Sequence, residues 1–270
     1  MTKLPTWFLS HGGGPWPWVP GLDEAHAGLR AALVRTSRQV AGSVRAVLVV
    51  TAHWEEQVFT VGSGARPGMI YDYGGFPPHT YQLRYDAPGM PDLAERVADL
   101  LEGEGLRARL DPDRGYDHGT FVPLAVMWPE ADVPVVQMSL RTDLDPEAHL
   151  QAGRALAPLR EEGILILGSG LSTHNLSLRG AAGRVPSKQF DGWLQEVVTG
   201  PPDRRDERLC NWHDAPSARA SHPREDHLLP LMVVTGAAAG DPATCDYTED
   251  DVLGGWTVSN FRFGDLPSPH

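Results

Sequence analysis

Eleven histidines are spread along this 270-residue chain, and several close the same kind of phrase. His11 follows Trp7-Phe8-Leu9-Ser10 and precedes Gly12-Gly13-Gly14. His53 follows Ala46-Val47-Leu48-Val49-Val50-Thr51-Ala52, and His174 follows Ile164-Leu165-Ile166-Leu167 across a stretch of small residues. In each case the pattern predicts a buried strand that ends, small residues, then an imidazole. Ligands of open α/β sheets bind beyond the carboxyl ends of the strands, so three such histidines can meet in one crevice. Neutral imidazoles suit Fe(II), Zn(II) or Mn(II). An unligated histidine titrates near neutral pH and suits proton transfer. A lone histidine after a strand is more often a hydrogen-bonded polar group at the core edge. It is the repetition that points to a shared metal or catalytic site.

Further histidines stand in comparable places. His118, in Tyr116-Asp117-His118-Gly119-Thr120, precedes a helix-like run over Phe121–Trp128. His222 and His227 lie at an expected helix start, five residues apart, which is not the i, i+4 pair of a helical zinc motif. One of the two is expected to join His11 and His53. His26, His149 and His270 fall on helical surface patterns or the terminus and are expected to be solvated, while His79 and His213 sit in loops. Tyr71, Tyr73, Phe76 and Trp54 offer walls for a flat aromatic ligand, or ordinary packing. Arg84, Arg114, Arg224 and Arg262 are candidates to pair with a substrate carboxylate.

The elements that must position these groups follow from periodicity. Short apolar runs predict strands over Trp7–Ser10, Ala46–Ala52, Val58–Val61, Pro134–Leu140, Gly163–Gly168 and Trp256–Phe263. Val47–Val50 and Ile164–Leu167 are apolar at every position, as in a sheet covered on both faces. Helical spacing runs through Gly21–Val40 and Pro91–Leu101. A third helix opens at Asp145-Pro146, with an N-cap and a first-turn proline, and reaches Gly163. A fourth spans Pro223–Gly236, with Glu225 and Asp226 in its first turn. Strands alternating with helices predict an α/β fold, one domain over residues 1–270 with a mostly parallel or mixed sheet flanked by helices. Gly62–Gly89 and Gly200–His222 lack periodicity and are expected to be long functional loops.

Composition removes several function classes. The net charge of −12 argues against a nucleic-acid face or a polybasic membrane patch. No run is long and apolar enough to span a bilayer, and the start carries no signal-peptide core, so a cytoplasmic protein is expected. Cys210 and Cys245 cannot build a thiolate zinc site or a disulfide framework. Gly12-Gly13-Gly14 and Gly168-Ser169-Gly170 match neither a P-loop nor a dinucleotide fingerprint nor a nucleophile elbow.

Seven collinear blocks resemble one known family. They are Phe8-Leu9-Ser10-His11-Gly12-Gly13, Val50-Thr51-Ala52-His53-Trp54, Tyr71–Pro77, Leu83–Gly89, Gly115–Gly119, Gly168–Gly170 with His174-Asn175-Leu176, and Glu225–Leu231. The chain resembles the class III extradiol ring-cleavage dioxygenases, in the DOPA-dioxygenase-type branch. The resemblance implies a LigB-like, phosphorylase/hydrolase-like fold and one non-haem metal, held by His11, His53 and His227. It implies His174 as the acid/base, with an approach to the metal left open, His118 as a second pocket histidine, and His222 either beside the substrate or only capping the helix; Tyr73, from the aromatic group above, is the expected substrate wall. Glu225 and Asp226 stay open as carboxylate ligands. Fe(II) is expected for activity, with Zn(II) possible in the isolated protein. A small aromatic diol and O2 are the expected partners of a monomer or homodimer. Two other readings remain open: a zinc hydrolase on the same histidines, and a non-catalytic member of the family.

Overall fold

A computed structural model describes residues 3–267. Eight strands form one sheet: β1 (Thr6–Ser10), β2 (Ala46–Glu56), β3 (Phe59–Gly62), β4 (Ala108–Asp111), β5 (Val135–Arg141), β6 (Ile164–Gly170), β7 (Ala243–Val252) and β8 (Trp256–Phe263). Their order is β4-β3-β5-β2-β6-β1-β8-β7. The central neighbours β5, β2, β6 and β1 are parallel, and β8 and β7 close one edge antiparallel. The helices are α1 (Leu22–Ala25), α2 (Ala27–Gln39), α3 (Pro91–Gly103), α4 (His118–Met127), α5 (Pro146–Leu156), α6 (Ala181–Thr199), α7 (Pro202–Cys210), α8 (Ala218–Ser221) and α9 (Leu229–Ala238).

The apolar strands sit where their composition requires. Ala46–Val50 and Ile164–Leu167 are wholly buried, with one core on each face of the sheet. On one face α5, α9, α3 and α6 cover Leu48, Val50, Ile164 and Ile166; on the other, α2 and α4 cover Val47, Val49, Leu165 and Leu167. Glycines bring α9 onto its neighbours backbone to backbone. A Cβ at Gly153 of α5 would clash with the Val233 carbonyl, and one at Gly236 with the Leu150 carbonyl. Likewise, a Cβ at Gly168 or Gly170 of β6 would strike the carbonyls of Pro230 and His227.

Several expectations need correction. β2 runs on to Glu56, so His53 lies inside a strand and not beyond it; its pairing with β5 shifts register between Val50 and Glu55. His118 is the first residue of α4, capped by Asp117. The helix expected from Pro223 begins only at Leu229, with Pro230 in its first turn. Glu225 and Asp226 therefore lie in a turn, where the Glu225 carbonyl accepts from Leu228 and Leu229. The Gly200–His222 stretch is not one loop, because α7 and α8 occupy much of it. His26 and His149 are buried and not solvated. His149 donates from Nδ1 to the Asp145 carbonyl and accepts at Nε2 from the Arg141 amide, which satisfies both nitrogens inside the core. The expectation for His270 lies outside the described residues.

Candidate metal centre and active site

The ends of β1, β2 and β6 are neighbours at the middle of the sheet, and they deliver three of the histidines. His11 follows β1 directly and its amide donates to the Gly170 carbonyl at 3.2 Å. His53 projects from β2. His174 follows β6 by four residues, its amide held by the Ser221 carbonyl at 3.0 Å. His118 arrives on the first turn of α4, which a buried cap fixes. Asp117 accepts from the Thr120 amide at 3.1 Å, from Thr51 Oγ1 at 2.9 Å and from Arg114 at 2.8 Å. His227 comes from the turn before α9. Gly119 leaves room for His53, since a Cβ there would lie 2.8 Å from the His53 ring and 2.7 Å from Thr51 Oγ1.

These rings form one cluster. Centroids are 4.9 Å apart for His11–His53, 4.0 Å for His53–His118, 5.3 Å for His11–His227 and 4.9 Å for His53–His227. His174 stacks on His227. Two groups of donor atoms are tightest: His11, His53 and His118, and beside them His174, Asp226 and His227. Of the two open carboxylate candidates, Asp226 is therefore at the cluster, whereas Glu225 is paired with Arg219.

Three of these rings have a bonded outer nitrogen, and that of a fourth, His53, faces a carboxylate. Nδ1 of His11 bonds the Gly12 carbonyl at 2.8 Å, and Nδ1 of His227 bonds Asp226 at 3.0 Å. Nδ1 of His118 bonds Asp72 Oδ1 at 2.8 Å, and Nδ1 of His53 lies 3.3 Å from Asp72 Oδ2. Carbonyls and carboxylates only accept, so the Nδ1 atoms of His11, His118 and His227 carry the protons and their Nε2 lone pairs are left for the interior; the Asp72 carboxylate favours the same tautomer of His53. His11 and His53 bring their Nε2 atoms to 3.3 Å. Two ligands at about 2.1 Å from one ion stand about 3.4 Å apart at a tetrahedral angle. Nε2 of His227 is buried without a partner. An orphaned buried nitrogen is costly unless something binds it. The donor set thus fits a divalent transition metal on open, neutral imidazole ligands.

Electrostatics agree with neutral rings. Burial, then repulsion from the neighbouring histidines, holds His11 and His227 well below the usual imidazole range. Burial and His118 bring His53 down to about 3 and His174 to about 4. Burial alone would raise the Asp72 carboxyl, but its bonds to His118 hold it at about 2.

Among the other expected site residues, Tyr73 is brought to the cluster, its ring 5.8 Å from His118 and its hydroxyl donating to the Thr80 carbonyl at 2.6 Å. Tyr71 and Phe76 pack edge to face against its ring, and Tyr81 and Phe121 lie tilted beside it. His222 is set apart. It is fully buried against Phe190 and Trp212, with Nε2 bonded to the Ser172 carbonyl at 2.9 Å. Of the four arginines, Arg84 and Arg262 pair with Asp86 and Asp246, and Arg114 is held by Asp117 over the Trp54 ring. Arg224 alone joins the segments that bear His53 and His227, through its bidentate pair with Glu55. Sequence reasoning missed Asp72. It lies inside a quoted block, but nothing in its spacing shows that one carboxylate reaches two histidines.

Comparison with known proteins gives a consistent result. Residues 21–257 match the family described as the catalytic LigB subunit of aromatic ring-opening dioxygenase. A dioxygenase named tasH from Hapsidospora irregularis is 39% identical, over 94% of this chain and 84% of that protein. The 4,5-DOPA dioxygenase extradiol of Beta vulgaris is 38% identical over 86% of each chain. Its namesake in Escherichia coli K12 is 32% identical over 97% of this chain and 96% of the other. A crystal structure of an uncharacterized protein from Escherichia coli K12 superposes with a TM-score of 0.79 at 29% identity, covering 97% of this chain and all of that one.

Proposed function

Because the chain belongs to the LigB family of aromatic ring-opening dioxygenases, we propose that it opens a catechol-type ring beside its hydroxyls, using O2 and a non-haem Fe(II). The observation that carries this is the set of clustered imidazoles whose Nε2 atoms are left for the interior, with Nδ1 bonded in His11, His118 and His227 and facing Asp72 in His53.

We assign the metal to His11, His53 and His227. The full burial of the unpartnered Nε2 of His227 and the place of His118 beside Tyr73, where a ring would lie, support His227 as third ligand, while the donor atoms of His118 stand nearer those of His11 and His53. Held there, Fe(II) would supply Lewis acidity that lowers the pKa of the catechol hydroxyls and the redox capacity that O2 chemistry needs, whereas Zn(II) would supply Lewis acidity alone.

The chain's own groups do the rest. Tyr73, with the aromatic cluster behind it, presents a flat wall to the substrate ring and excludes water. Neutral at pH 7, a ring nitrogen of His174 accepts the proton of the second catechol hydroxyl. It later returns that proton to an oxygen of the opening product. His118 donates from Nε2 to a substrate or oxygen atom only when that nitrogen is protonated; with Nδ1 bonded to Asp72, its neutral form is an acceptor there. His222 supports the His174 segment through Ser172 and does not reach the ring.

The test is anaerobic loading with Fe(II), then oxygen with a panel of catechols, following oxygen uptake and a yellow ring-opened product. Iron-dependent product with equimolar uptake is the expected result, with no turnover for the zinc form. Absence of uptake across the panel, with iron content verified, overturns the reading.

A further inference from the structure

Asp72 is supplied by the long segment between β3 and α3 and not by the sheet, yet it uses both carboxylate oxygens on the cluster. Oδ1 accepts from His118 twice, from Nδ1 at 2.8 Å and from the backbone amide at 2.9 Å. Oδ2 faces His53 Nδ1 at 3.3 Å. The two rings it spans have centroids 4.0 Å apart and come from unrelated elements, β2 and the first turn of α4. No other residue approaches Nδ1 of either ring as a hydrogen-bond partner among the described residues.

A histidine free to rotate can offer either nitrogen. An ionised carboxylate removes that choice, because it accepts and never donates. With one oxygen bonded to His118 and the other facing Nδ1 of His53, Asp72 favours a proton on both Nδ1 atoms and leaves both Nε2 atoms for the interior. We propose that Asp72 is a positioning residue that sets the tautomer and orientation of His53 and His118 together. A single acid thereby couples a metal ligand to the pocket histidine. It does so from the same short segment as Tyr71 and Tyr73, so the aromatic wall and the ligand orientation are delivered by one piece of chain. The inference rests on the metal assignment above, with His53 as ligand, but not on the identity of the substrate or on turnover.

The experiment is a Co(II) titration of the full chain and of Asp72→Asn, read by the visible ligand-field bands. Asparagine keeps the shape but offers one acceptor and one donor, so one ring must take the other tautomer. Loss of such an outer partner typically weakens metal binding by about 10–100-fold. We expect that loss and a changed Co(II) spectrum, with the metal-free thermal midpoint within a few degrees of wild type. Wild-type affinity and spectrum in Asp72→Asn would overturn the proposal. Histidine 15N spectra of the Zn(II)-loaded wild type need no variant. Protonated Nδ1 on both His53 and His118 is expected, and a protonated Nε2 with a bare Nδ1 on either would overturn it. Should the Co(II) result hold while no catechol is cleaved, the functional reading falls and this one stands.

Discussion

The rings of His174 and His227 lie face to face, their centroids 3.5 Å apart and their planes 11° from parallel. Only one of the two is tethered. Asp226 holds Nδ1 of His227, while neither ring nitrogen of His174 has a hydrogen-bond partner among the described residues. A ligand needs a fixed ring, whereas a proton carrier needs a free nitrogen.

That contrast predicts the behaviour of His174→Ala. Metal content should match wild type, while turnover falls by roughly 10²–10⁴-fold, the usual worth of general acid–base help. Metal analysis beside oxygen-uptake rates checks both halves, and a variant that loses its metal would make His174 a ligand instead.

The third ligand is decided by a pair of variants. His227→Ala should lose bound metal along with activity, as His11→Ala and His53→Ala should. His118→Ala should retain metal and lose turnover or substrate affinity. The reverse pattern would transfer the site to the His11, His53 and His118 triad.

Gly119→Ala tests the closeness of α4 to His53. Its Cβ would sit 2.8 Å from the His53 ring, so the ring or the helix must move. We expect a stability loss of about 1–3 kcal/mol from overpacking. Metal affinity should fall as well, read by competition with a coloured chelator. Unchanged affinity would show that the ring yields without leaving its ligand position.

His149 gives a pH prediction away from the cluster. Burial lowers its folded-state pKa to about 4, against about 6.5 in the unfolded chain. As pH falls below 6.5 the unfolded chain takes up the proton first, so the stabilisation is complete above 6.5 and is lost as pH approaches 4. The difference corresponds to about 3 kcal/mol as an order of magnitude. Thermal midpoints of wild type and His149→Gln between pH 7 and 4 should show a shallower decline for the variant; parallel curves would contradict this.

Much of this arrangement was legible in the residues. Ala46–Val50 and Ile164–Leu167 are apolar throughout, and they are the covered central strands. Asp145 and Pro146 mark the start of α5 for the physical reasons expected, a side-chain cap and a preset φ. Other elements carried weaker signals. β7 reads Ala-Thr-Cys-Asp-Tyr-Thr-Glu-Asp-Asp-Val, an acidic edge strand with no buried face to impose alternation. α6 contains Pro186, and α7 is almost entirely polar. His11 and His174 follow strand ends, which are local features, and His53 shares their pattern although its strand runs on to Glu56. Asp72 has none, because its meaning lies in contacts with residues 19 and 46 positions distant along the chain.

The glycine crossing of α5 and α9 has a reach beyond packing. His227 stands just before α9, and α9 rests on β6 and α5 with no side-chain cushion at Gly153, Gly168, Gly170 or Gly236. The sheet's far side therefore works as a calibrated shim. A methyl group at Gly153 would lift α9 bodily, and the error would be passed to the imidazole at its leading end. Positions that look like silent filler thus carry the tolerance of the histidine cluster.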